Sequence, residues 1–248
     1  MSSRSPVFVT GASSDLGVAL VRKIAARPDP PKIVAHCRQG RDRLLLLAED
    51  IGEDRIAIEE ADFTSESAVI ALAERSIATH GAPSELVHLP ALPLVYERFP
   101  KFDWARFQTD MDVQVKSAVL LLQRFLPRMT RMPRAKVVFV LSSVTRGLPP
   151  KFLSMYSICK HAQLGLMKAL ASEYAGTSVT VNAVSPSMIE TRFLAAIPEV
   201  AVQMAAAASP KKRNATPEDV VGAIEFLLSE ASDFMTGAEL PVTAGSTA

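Results

Sequence analysis

Pro6-Val7-Phe8-Val9-Thr10-Gly11-Ala12-Ser13-Ser14-Asp15-Leu16-Gly17 is the stretch from which the fold can be read. Val7 to Thr10 is a short apolar run, as expected of a strand buried on both faces. Small residues follow, and Leu16 to Arg27 then reads as a helix with Leu16, Leu20, Val21 and Ile24 on one face. Backbone N–H groups at a helix N-terminus attract anions, and small side chains let a pyrophosphate come close to them. The stretch therefore predicts both an α/β architecture and a use for its first turn.

Outward from this unit, strands and helices alternate. Strands are expected at Val7–Thr10, Lys32–Cys37, Ile56–Glu60, Glu85–Leu89, Lys136–Ser142, Ser178–Val184 and Glu239–Val242. Helices are expected at Leu16–Arg27, Asp42–Ile51, Glu66–His80, Met111–Met129, Met155–Ala175 and Pro217–Ser229. Pro28-Asp29-Pro30-Pro31 stops the first helix. Val137–Leu141 is an unbroken apolar run, which suits a buried parallel strand. Right-handed crossovers would place all strands in one doubly wound parallel sheet of about seven strands, with helices on both faces. The chain shows no internal repeat and no linker, so a single domain over 1–248 is expected.

The chemistry-bearing residues lie further along. Tyr156 and Lys160 are one helical turn apart, and Ser143 stands thirteen residues before the tyrosine, just past the apolar run. A phenol with an unperturbed pKa of ~10 is a poor acid–base group at neutral pH. An ammonium on the same helix face favours the phenolate and brings the phenol toward working range. A serine hydroxyl at a strand end can hold a carbonyl oxygen beside it. The trio suits proton transfer to an oxygen while a hydride arrives at its carbon. A tyrosine on a core-facing helix is ordinarily a packing residue; the coincidence with Ser143, Lys160 and the N-terminal turn reverses that expectation.

With these motifs the chain resembles the short-chain dehydrogenases/reductases, whose fingerprint is Thr-Gly-x-x-x-Gly-x-Gly followed by Ser and Tyr-x-x-x-Lys. Within that family it is most similar to the 3-oxoacyl-acyl-carrier-protein reductases. The resemblance spans nearly the whole chain, with support from Asp62, Asn182-Ala183-Val184-Ser185-Pro186, Thr216-Pro217-Glu218-Asp219 and Thr236-Gly237-Ala238-Glu239-Leu240-Pro241-Val242. It implies a Rossmann-like fold and a catalytic set of Ser143, Tyr156, Lys160 and Gln114. It places Gly11, Ser13, Ser14, Asp15, Leu16 and Gly17 under a pyrophosphate, and Asp62 at the adenine amino group unless that carboxylate caps the helix opening at Ser65. Phe63, Leu89, Tyr156, Lys160, Pro186, Ile189 and Thr191 complete the implied cofactor site, the last two near the nicotinamide. The irregular region 187–214, with soft Ala201–Ala208 and cationic Lys211-Lys212-Arg213, corresponds to a substrate lid or is a plain surface helix pair.

Three positions depart from the family pattern. Asp15 replaces the middle glycine and is expected to point away from the phosphates and cap the helix. His88-Leu89-Pro90-Ala91 replaces Asn-Asn-Ala-Gly, and His88 reads as a structural histidine. Gln114 stands for the asparagine that holds a water linking the lysine to solvent; it either does the same on a longer arm or is an ordinary helix residue. At the end of the second strand, His36-Cys37-Arg38 offers no carboxylate for the ribose hydroxyls of NAD. Arg38 carries a guanidinium suited to a 2′-phosphate, so NADP(H) is the expected cofactor, with Arg43 read as a solvated helix start. Ser142 reads as structural.

Arg124, Arg128, Arg131, Arg134 and Lys136 cluster between a helix end and a strand. Arg131 and Arg134 match the docking arginines of carrier-protein reductases, or else complement the helix dipole. The expected activity is NADPH-dependent reduction of a carbonyl, a 3-oxoacyl thioester on a carrier protein. The alternative is a non-catalytic or weakly active subunit supporting a partner reductase. A dehydrogenase running toward oxidation is a third reading, against which Arg38 speaks.

Composition sets the remaining bounds. A net charge of +1 gives no broad attraction to nucleic acid or anionic membrane. No apolar run is long enough to span a bilayer. Cys37 and Cys159 suggest no disulfide framework and suit a reducing cytosol, and no metal-ligand cluster is visible. The first strand begins close to Met1, leaving no room for a signal peptide, so a cytoplasmic location is expected. Val115, Val119, Leu122, Leu164, Met167 and Leu170 exceed what one sheet face needs. With the family resemblance they point to a homodimer or homotetramer, or to a hetero-oligomer with a sister reductase.

Overall fold

Alternate residues of the first strand, β1 (Val7–Thr10), feed two different cores. Val7 and Val9 pack into one hydrophobic cluster and Phe8 into the other, the period-two consequence of a pleated strand. The structure, a computed structural model, describes residues 5–246; residues 1–4 and 247–248 of the expected domain lie outside it. The other strands are β2 (Ile33–Cys37), β3 (Ile56–Glu60), β4 (Glu85–His88), β5 (Ala135–Val140), β6 (Val179–Pro186) and β7 (Glu239–Val242). All are parallel, in the order β3-β2-β1-β4-β5-β6-β7. The order reverses between β1 and β4, whose C-terminal ends therefore open the crevice typical of doubly wound sheets.

The helices are α1 (Asp15–Ala25), α2 (Arg41–Ile51), α3 (Glu66–His80), α4 (Trp104–Met111), α5 (Ser117–Met129), α6 (Ser154–Glu173), α7 (Glu199–Ala208) and α8 (Pro217–Leu228). Leu20 and Ile24 of α1, Leu44 and Leu47 of α2 and Ile224 of α8 cover one face of the sheet. Leu72 of α3, Phe125 of α5 and Met167 of α6 cover the other. Phe8 and Phe125 meet with ring centroids 5.2 Å apart, a tilted pair that adds to the area each ring buries.

Two expectations are corrected here. The helix foreseen at Met111–Met129 is the second half of a longer rod: α4 precedes it, and a π-helical stretch, Asp112–Lys116, joins α4 to α5. Asp103 starts that rod by accepting from the Arg106 N–H at 3.1 Å, an N-cap in the usual geometry. The apolar surplus is also smaller than expected. Leu122, Leu164 and Met167 are buried within the chain, leaving Val115, Val119 and Leu170 partly exposed.

Candidate active site

Residues 11–17 form the turn between β1 and α1. Gly11 adopts φ +68°, and a side chain there would come within 3.4 Å of Leu89 Cβ and Pro90 N. Gly17 packs so closely on the turn that a Cβ would lie 2.6 Å from the Ala12 carbonyl. Ser14, not Asp15, caps the helix: its Oγ accepts from the Gly17 N–H at 3.0 Å and donates to the Gly11 carbonyl at 2.8 Å. Asp15 is the first helical residue, and its carboxylate meets Arg43 at 2.6 Å and the Arg192 side chain at 3.2 Å. It also accepts from the Arg192 backbone N–H at 2.7 Å. Burial works to raise its pKa, but these bonds and charges leave it below the usual carboxylate value. Arg43 is thus no free surface group, since it also donates to the Ser13 carbonyl at 2.9 Å.

His36 and Phe63 stack at 4.0 Å under this turn. The Gly11 N–H donates to His36 Nδ1 at 3.3 Å, so His36 Nε2–H donates to the Ala61 carbonyl at 3.0 Å. Asp62 accepts from both the N–H and the hydroxyl of Thr64 at 2.9 Å, holding the turn before α3, while Ser65 caps α3 itself. Arg38 is exposed beside Asp62, with no ion pair or hydrogen bond among the described residues.

At the other end, Ser142 and Ser143 form the turn after β5. Glu239 pins this turn from β7, accepting from the Ser185 hydroxyl at 2.6 Å and hydrogen-bonding Thr145. Ser142 and Ser143 both line the cleft that holds Tyr156. Burial pushes the Tyr156 phenol up to about 12, against the lowering hydrogen bond from Ser142. Burial likewise pulls Lys160 down to about 8. The expected depression of the phenol by the lysine is not seen. The ammonium lies 5.7 Å from the ring centroid and donates instead to the Val140 carbonyl and to Gln163 Oε1, both at 3.0 Å.

Gln114 is buried, but its side-chain amide turns to Asp110 at 3.4 Å, leaving its Oε1 without a protein partner. Its backbone carbonyl is the group turned toward the site, and accepts from His88 Nε2 at 3.0 Å and Gln163 Nε2 at 2.9 Å. His88 Nδ1 meets the Thr10 hydroxyl at 3.1 Å, so both ring nitrogens are satisfied and the residue is structural in its geometry. Sequence reasoning missed Gln163, although it lies three residues beyond Lys160 on one helix face. It also missed Arg192, for which a partner 177 positions away leaves no local signal.

Between the two ends runs a cleft of about 1170 Å³, larger than the roughly 300–1,000 Å³ of ordinary small-ligand sites. Gly11, Ser13, Ser14, Asp15 and Leu16 line it, as do Arg38, Phe63, Leu89, Pro186, Ile189 and Thr191. Gly17 and Asp62 do not face the main cleft; Gly17 supports the turn, and Asp62 lines the shallow extension beside Arg38. Region 187–214 forms one wall, contributing Phe193, Leu194 and Ile197. Among the described residues no helix is long and apolar enough to cross a membrane.

Comparison with known proteins agrees with this fold. A family model described as enoyl-(acyl carrier protein) reductase matches residues 11–247. The cis-4-hydroxycyclohexanecarboxylate dehydrogenase of Sinomonas cyclohexanicum is 30% identical over 240 residues, covering 97% of this chain and 95% of that protein. The 3-oxoacyl-(acyl-carrier-protein) reductase MabA of Mycobacterium tuberculosis is 28% identical over 244 residues, 98% and 92% of the two. Among solved structures, a 3-ketoacyl-(acyl-carrier-protein) reductase from Brucella melitensis complexed with NADH superposes with TM-score 0.87 at 23% identity, covering 98% of both chains. A gluconate 5-dehydrogenase from Burkholderia cenocepacia in complex with NADP and tartrate gives TM-score 0.87 at 22% identity, covering 97% and 94%. These two structures share the fold.

Proposed function

The chain belongs to the short-chain dehydrogenase/reductase family, and from that premise we propose that it is an NADPH-dependent reductase of a 3-oxoacyl thioester. One observation carries the reading: Tyr156 and Lys160, one turn apart, stand beside two serine hydroxyls in a cleft whose substrate end is apolar. Leu92, Leu94, Tyr96, Leu153, Phe193 and Leu194 line that end, a surface suited to an acyl chain rather than a charged substrate.

The residues at the other end fit a dinucleotide. The left-handed backbone at Gly11 disfavours any side chain, the α1 N-terminus faces the cleft, and Arg38 offers a guanidinium to a 2′-phosphate. When bound, the cofactor supplies the hydride. Tyr156, protonated through the neutral range, gives its proton to the substrate oxygen, and the Ser142 and Ser143 hydroxyls hold that oxygen. Lys160 has three ammonium donors. Two go to Val140 and Gln163, leaving one for a ribose hydroxyl. Region 187–214 would close over the acyl chain as a lid. Delivery on a carrier protein would fall mainly to Arg131, because Arg134 already pairs with Glu230 at 2.8 Å.

The test is NADPH oxidation with an acetoacetyl group presented on a carrier protein and on coenzyme A, with Tyr156→Phe alongside. Wild type should turn over, and the variant should lose about 10²–10⁴-fold. NADPH binding with no turnover of either thioester would sink the substrate assignment, and no binding would sink the reductase reading. Arg131→Glu combined with Arg134→Glu should slow the carrier-protein substrate alone; equal rates would remove the docking surface.

A further inference from the structure

Beneath the cleft, a line of polar groups crosses the middle of the fold. Lys160, Gln163 and Gln114 are 2%, 0% and 1% exposed. Lys160 donates to Gln163 Oε1 at 3.0 Å, and Gln163 Nε2 donates to the Gln114 carbonyl at 2.9 Å. His88 shares that carbonyl at 3.0 Å and continues the line to Thr10. Gln114 lies in the π-helical stretch, where the Ser117 N–H bonds back to the Asp112 carbonyl. Such interruptions of the α-helical ladder recur at functional sites.

A fully buried amide carries a desolvation cost that a leucine of similar size would avoid, and pairing of its ends offsets that cost. Here both ends are paired, and the acceptor end is spent on the ammonium of the site. We propose that Gln163 is the positioning residue of Lys160, holding the ammonium under the Val140 carbonyl and keeping it charged where water is excluded. Among the neighbouring side chains, one carboxylate, that of Asp110, also favours the charged lysine. Tyr156 and Cys159, on the same helix, are held protonated by burial, each at about 12. His88 on β4 is held neutral, at about 3. Asp110 on α4 is raised by burial and shared with Arg106 at 3.5 Å, so its pull on the ammonium is divided. An amide oxygen stabilises the ammonium without neutralising it, whereas a carboxylate would cancel much of its field. The catalytic consequence rests on the reductase reading above, whereas the effect on the lysine's charge does not.

The test follows lysine labelled with carbon-13 at Cε by NMR from about pH 6 to pH 11 in wild type, Gln163→Leu and Gln163→Glu. Gln163→Leu should move the Lys160 titration down by about one pH unit, the size of one lost bond to a charged group. Gln163→Glu should move it up. The alkaline limb of kcat for carbonyl reduction should follow in the same directions, with KM for the carbonyl substrate little changed. If both variants fold and the Lys160 titration stays in place, the clamp is overturned. If Gln163→Leu does not fold, the upward shift in Gln163→Glu decides alone. A wild type that reduces no carbonyl would end the reductase reading, while the titration would still decide the clamp.

Discussion

Arg38 is the cation left over once the arginines behind β2 are paired. Arg41 meets Glu60 at 2.8 Å and Arg43 meets Asp15 at 2.6 Å, while Arg38 stands exposed at the cleft beside Asp62. A charge-assisted bond to a 2′-phosphate is worth roughly 1.5–3 kcal/mol. Arg38→Ala should therefore raise KM for NADPH about 10- to 100-fold and leave KM for NADH nearly unchanged, as read from cofactor titrations. An equal change for both cofactors would remove Arg38 from the 2′-phosphate. At this scale the sequence was legible where spacing decides geometry. Four residues on a helix bring Tyr156 and Lys160 to one face whatever surrounds them. Which of Ser142 and Ser143 serves the phenol depends on the backbone of a short turn; spacing selects Ser143, and the structure sets both in the cleft.

The wall built from region 187–214 is tied to β7 through the Ser187 N–H, which donates to the Val242 carbonyl at 3.1 Å, and to the N-terminal turn through Arg192. A 3₁₀ turn, Arg192–Ala196, opens this wall, and Arg192 is fastened to Asp15 through both its backbone and its side chain. Asp15 thereby gains a use in place of the glycine's closeness to phosphate. Further along, α7 has no fully buried residue, so little apolar burial holds this wall down. The ion pair is partly exposed, 69% on the Arg192 side, which limits its worth to about 1 kcal/mol. Asp15→Ala should accordingly raise the rate of tryptic cleavage at Lys211, Lys212 and Arg213 several-fold at low protease, where cleavage follows local opening. An unchanged rate would show that Asp15 does not fasten the wall. Elements were less evenly legible than residues. The Asp103 cap was available in the sequence, but aromatic residues on either side hid the period of α4. The π-helical step has no compositional mark; within it the Gln114 carbonyl accepts from His88 and Gln163.

The whole molecule was the most legible level, because apolar strands separated by one-faced helices admit few arrangements once crossovers are right-handed. His88 reads as structural in the sequence, but the burial of His36 could not be read, since a histidine near a strand end looks the same buried or exposed. His36 and His88 lie at the ends of β2 and β4, flanking Phe63 with near-parallel rings. Each donates from Nε2 to a backbone carbonyl and accepts at Nδ1, so neither can take a second proton without losing an acceptor. Burial lowers them from 6.5 to about 4 and about 3. With the folded values below the unfolded one, the unfolded chain binds more protons as the pH falls below 6.5, and stability must drop there. At pH 5 each histidine should cost about 2 kcal/mol, a large share of the roughly 5–15 kcal/mol that holds a domain together. Urea midpoints should thus fall steeply between about pH 6.5 and pH 5. His88→Asn, which keeps an amide donor facing the Gln114 carbonyl but cannot titrate, should start from a lower stability at neutral pH and lose about half of the acid slope. A slope unchanged by that substitution would mean that carboxylates, rather than the histidines locked in the sheet, set the acid limit of the fold.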